Sequence, residues 1–317
     1  MFIKIRMSMK KIFVSFAAMV MAAGVLSAQD INTVTESYNN GAMELEMGNK
    51  EAALEQFHAA LAGAEALGEE GADIVANCQT YIPAIMIQIA KGQLKDNAID
   101  EALEQLNKVI ETGNAYGNAD VVEEANGLIN QAYLAKGNNA LNDKDYAAAV
   151  EAYQFVLAAN PANGLAQLRL GMALGAQGKV AEAEAAYLLA AENGQKTAAY
   201  KQLSNNYVKL AQAASKAKKY QEAYDYAMKS NEYLENANAF RFAASAAQQL
   251  GKNDECIALY EKYIALKPNA KDAGGVKFTI AALYQQAGNK AKAKEYYQMV
   301  ATDPQYGASA AEQLKTL

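Results

Sequence analysis

The chain has 317 residues, with 35 acidic against 29 basic side chains and a formal net charge of −6 at pH 7. That balance argues against a nucleic-acid partner, which demands a basic footprint. One histidine, His58, and two cysteines, Cys78 and Cys256, are too few for a zinc site of the usual kind and leave a serine nucleophile without a nearby base.

At the start of the chain, Lys10 and Lys11 precede an apolar run from Ile12 to Leu26 that ends in Ser27 and Ala28, the order of a secretory leader. The run falls short of the ~20 residues that span a bilayer. Residues 1–28 are therefore expected to be a signal peptide cleaved after Ala28, leaving 29–317 as a soluble, exported, periplasmic protein. No Cys follows the run to accept a lipid. Cleavage would remove four basic residues and no acid, and the remainder is lopsided: 18 acids and 5 bases over 29–140, against 17 acids and 20 bases over 141–317.

From Gly41 onward one spacing recurs seven times: a small residue, eleven others, then a second small residue. The pairs are Gly41 and Ala53, Ala90 and Ala102, Gly137 and Ala149, Gly171 and Ala183, Ala211 and Ala223, Ala244 and Cys256, Ala281 and Ala293. Successive units start 33 to 49 residues apart, the range of helical-repeat solenoids. Between Leu165 and Ala190, apolar residues three and four apart lie on both sides of Gly178, which describes two amphipathic helices joined by a tight turn. Units are expected to start near residues 34, 83, 130, 164, 204, 237 and 274, with a capping helix over 306–317. Extra residues lengthen the first helices over 72–95 and 120–141, and Pro83 should kink the former or begin a new helix. Ala227 stands where an aromatic is expected, so the fifth unit should be the loosest.

These units resemble tetratricopeptide repeats. The resemblance rests on Tyr133 and Tyr207 before a small residue in first helices, Tyr146 and Tyr220 before the second small residue, and the later aromatics Phe57, Tyr153, Tyr187, Tyr260 and Tyr297. Pro161, Pro268 and Pro304 follow second helices, where Pro cannot continue them. It covers about Thr33 to Leu317 and implies an all-α, right-handed superhelical solenoid of about seven helix pairs with a C-terminal cap.

Motifs that carry chemistry are sparse. Gly171, Gly175 and Gly178 lack the strand and spacing of a phosphate loop. Adjacent acids such as Glu69 and Glu70, or Glu123 and Glu124, point apart on a helix. No catalysis and no cofactor or metal are expected. The resemblance places ligands in a concave groove lined by first helices, which here gives Asn138, Asn142, Arg169, Asn205, Lys209, Gln212 and Arg241. Amides there can satisfy a bound backbone and the three cations can hold carboxylates. The expected function is a non-enzymatic scaffold or adaptor of the cell envelope, binding an extended peptide or partner protein. The alternative is an accessory glycan-binding protein, with Tyr38, Tyr81 and Tyr116 as seeds.

Overall fold

The computed structural model describes residues 30–317, so the leader-like segment lies outside the described residues. It is all-α. The helices are α1 (Ile31–Glu46), α2 (Lys50–Ala66), α3 (Ala72–Lys95), α4 (Ile99–Ala115), α5 (Ala119–Asn142), α6 (Tyr146–Ala159), α7 (Gly164–Ala176) and α8 (Val180–Ala190). They continue as α9 (Lys196–Lys216), α10 (Tyr220–Tyr233), α11 (Ala237–Gln249), α12 (Asn253–Leu266), α13 (Ala273–Gln286), α14 (Lys290–Met299) and α15 (Gly307–Thr316). Two compact units divide the chain, one ending at Ala135 and the other running Lys136–Leu317.

The two helices of each of the seven pairs are joined by one turn, which Gly117 repeats between α4 and α5. Its left-handed residue is Gly48, Asn97, Lys144, Gly178, Lys218, Gly251 or Gly288, each with φ between 58° and 85°. In every case the N–H of the following residue reaches back to a carbonyl five residues earlier, as Lys179 does to Leu174 and Lys219 to Ala214. This closes the exposed carbonyls of the first helix and reverses the chain. Glycine takes the conformation freely, whereas Lys144 and Lys218 hold it against the Cβ–carbonyl clash that disfavours it for L-residues.

The turn sets each first-helix small residue against the second-helix residue sixteen further on. Gly41 meets Phe57, Gly137 meets Tyr153 and Gly171 meets Tyr187; a Cβ on the last two glycines would lie 2.7 Å from the tyrosine ring. Tyr153, Tyr187 and Tyr297 are almost fully buried, as is Leu106 at the same register of the second pair. Large-on-small packing thus drives the pairs together by the apolar area removed from water.

Pro83 is buried inside α3, which continues through it to Lys95. The fifth pair carries Ala211 and Ala227 in this register. Both are fully buried in a cluster with Phe240, Ala244 and Tyr260, closed by Tyr224 and Tyr226. At the C-terminus α15 lays Ala310 and Leu314 over Ala281, Ala293 and Tyr297. The cap thereby covers the last pair's apolar face. Both cysteines are buried and free, and burial pushes each thiol up to about 11.

Candidate ligand clefts of the second unit

First helices of neighbouring pairs approach each other in the second unit, and between α7 and α9 they leave a cleft of about 440 Å³. Its apolar lining comes from Met172, Val180, Leu210 and Ala213, and its polar lining from Gln202, Asn206 and Lys209. Residues 202, 206, 209 and 213 are spaced four, three and four apart, so they share one face of α9. Gly175 permits the close approach of Asn206: a Cβ there would lie 3.2 Å from the amide nitrogen. Asn206 hydrogen-bonds the Tyr187 phenol, which burial pushes up to about 12 while that bond pulls it down. The cleft therefore has an apolar floor, an anchored amide and one free-standing ammonium group.

A second cleft, of about 510 Å³, opens where α11, α13 and α15 begin. Asp272 is its fixed point. The Tyr263 hydroxyl donates to Asp272 Oδ1 at 2.5 Å, and Arg241 stands 3.7 Å from Oδ2. Burial and the bond to Asp272 push the Tyr263 phenol up to about 12. Arg241 also lies over the Phe242 ring, 4.8 Å from its centroid.

Elsewhere in the second unit, Glu184 of α8 gathers three donors. Tyr207 and Tyr233 each donate at 2.7 Å, and Lys229 Nζ lies 2.9 Å away. Burial alone would raise the carboxylate, but the bonds from Lys229, Tyr233 and Tyr207 outweigh it and hold the pKa below the ordinary glutamate value. Lys229 is correspondingly raised by Tyr207 and Glu184, and sits 4.7 Å from the Tyr207 ring centroid. This node ties α8, α9 and α10 together.

The seven groove candidates do not form one row. Lys209 lines the α7–α9 cleft and Arg241 the second cleft. Asn205 and Gln212 are exposed on α9 without lining the cleft, and Asn142 is exposed at the end of α5. Asn138 accepts a hydrogen bond from the Tyr153 hydroxyl at 2.8 Å. Arg169 is half-buried near that phenol, which burial pushes up to about 12 against the pull of the arginine charge. Sequence reasoning passed over Gln202, Asn206, Tyr263 and Asp272. The signal for the first two was the spacing of 202, 206, 209 and 213, one residue out of step with the register that selected Asn205.

Of the aromatic seeds of a glycan site, Tyr81 remains 41% exposed. In the first unit Tyr81 stacks on Phe57 at 5.5 Å and Tyr38 meets Phe57 edge-on at 5.4 Å, while Tyr116 packs on the core. His58 is exposed on α2. Among the described residues no group of three or more His, Cys, Asp or Glu is placed to hold a metal, and no helix is long and apolar enough to cross a membrane.

Paired helices, repeated turns and large-on-small contacts define an all-α helical-repeat solenoid. Residues 140–207 and 242–270 match the family described as Tetratricopeptide repeat, so these stretches carry tetratricopeptide repeats. Among solved structures it is similar to MamA, at 22% identity over 57% of this chain and 94% of that one, with a TM-score of 0.37. It is also similar to YrrB, a TPR protein with an unusual peptide-binding site, at 17% identity over 59% of this chain and 91% of that one, with a TM-score of 0.34. PilF of Pseudomonas aeruginosa is similar at 18% identity, over 59% of this chain and 90% of that one, with a TM-score of 0.30. No curated protein matches the chain.

Proposed function

We propose that the protein is a non-enzymatic interaction scaffold of the cell envelope that holds an extended segment of a partner protein in the cleft between α7 and α9. The observation that carries this reading is the cleft's composition. Met172, Val180 and Leu210 offer burial to a partner's side chains, Gln202 and Asn206 offer amides to its backbone, and Lys209 offers a charge to its acids. Gly175 and Tyr187 hold Asn206 in place before a ligand arrives. The repeat side is thus preorganised, and a partner gives up little free energy to order it. The envelope location rests on the leader-like order of residues 1–28.

The test is in-cell photo-cross-linking from position 202, compared with position 252 on the turn before α12. A defined envelope protein joined at 202 but not at 252, and lost when Lys209 is changed to Glu, supports the reading. Identical products from both positions, or capture that survives Lys209→Glu, overturns it.

A further inference from the structure

The cleft at the start of α11, α13 and α15 differs in kind from the one between α7 and α9. Every side chain that lines it carries a polar atom, and no aliphatic side chain floors it. A peptide's apolar side chains would gain less by burial there than in the cleft between α7 and α9. The set instead mixes donors with acceptors: Asn238 and Gln305 supply amides, Asp272 accepts, and Arg241 and Lys271 donate. Such a mixture suits vicinal hydroxyls, each of which is both donor and acceptor.

Charge narrows the class further. Asp272 is the one lining carboxylate, and Tyr263 and Arg241 already engage it. Against it stand Arg241 and Lys271, and Lys267 reaches the rim at 3.5 Å from Asn238 Oδ1. Asn238 lies in the first turn of α11, while Asp272 and Tyr306 are the N-caps of α13 and α15, so three helix N-termini add positive potential at the same place. The volume suits roughly one or two sugar rings.

We propose that this cleft binds an acidic saccharide of the uronate class. Its carboxylate pairs with Arg241 and Lys271, and its hydroxyls bond Asp272, Asn238 and Gln305. The site is separate from the peptide cleft and does not depend on it.

The test is calorimetric titration of the purified protein at low salt with galacturonate, glucuronate and mannuronate oligomers. A neutral galactose oligomer and an acidic peptide of equal charge serve as comparison ligands. At least one uronate oligomer should bind, with affinity falling at least tenfold in Lys271→Gln and in Arg241→Gln and unchanged in Lys209→Gln. Lys271 is exposed, so its variant keeps the test sound if Arg241→Gln disturbs the fold, and circular dichroism checks both. The proposal is overturned if no uronate oligomer binds, if the neutral oligomer or the peptide binds equally well, or if binding survives Lys271→Gln.

Discussion

Replacing Gly171 with Ala places a Cβ 2.7 Å from both Cδ1 and Cε1 of Tyr187, a ring that is 1% exposed and has no free space to enter. Ordinary contact begins roughly 0.7 Å further out, so either α7 and α8 separate or the ring is re-seated, at about 1–3 kcal/mol for an overpacked contact. Alanine returns up to about 1 kcal/mol through helix propensity. The sixth and seventh pairs seat Ala244 with Tyr260 and Ala281 with Tyr297 at this register, so the geometry can widen and the cost belongs near the lower end. A net loss of about 1 kcal/mol follows. Gly127, exposed in the middle of α5 with nothing within 4 Å of its missing Cβ, is the control: Gly127→Ala should gain about 0.5–1 kcal/mol. Gly41→Ala, at 3.2 Å from Phe57, should fall between them. Urea unfolding followed by far-ultraviolet circular dichroism ranks the three. Gly171→Ala as stable as Gly127→Ala would refute the large-on-small account of how the pairs close.

At the repeated turn, Lys144→Gly and Lys218→Gly should each stabilise the protein by up to about 1 kcal/mol, because φ values of 63° and 58° strain a lysine; unchanged urea midpoints would contradict this. Glu184→Gln should cost about 1–2 kcal/mol at neutral pH, since three donors lose a charged acceptor at a partly exposed site. Because the folded Glu184 pKa is lowered, its stabilisation is complete above the ordinary glutamate pKa and fades as pH falls through the depressed one. The parent should therefore lose stability more steeply than the Gln variant below about pH 4.5, and parallel acid limbs would count against the node. Cys78 and Cys256, fully buried and with thiols near 11, should resist a thiol reagent in native protein and react on unfolding; fast native labelling would show that those helices open.

What the sequence made legible was the packing grammar. Small and aromatic residues at fixed offsets are visible in one dimension because each contact lies within a single helix pair, as with Gly171 and Tyr187. The turn was harder to see. Gly178 announces a left-handed residue, but Lys144 and Lys218 occupy the same register without the glycine that would signal it. The clefts were least legible, because they depend on the rotation of one helix against the next. A step of one residue turns a helix by about 100°, enough to exchange Asn205 for Asn206. Asp272 is invisible to periodicity altogether: it lies in a loop, and its importance comes from Tyr263 and Arg241 on two other helices.

The most direct test of the scaffold claim is the affinity of the purified protein for the partner segment recovered by cross-linking at position 202. It should be measured by fluorescence anisotropy for the parent, Asn206→Ala and Lys209→Glu, with Asn205→Ala as the neighbouring control. The account predicts at least a tenfold loss for the first two variants and none for Asn205→Ala. Equal affinity across all four proteins would contradict it and move the binding surface away from the cleft between α7 and α9.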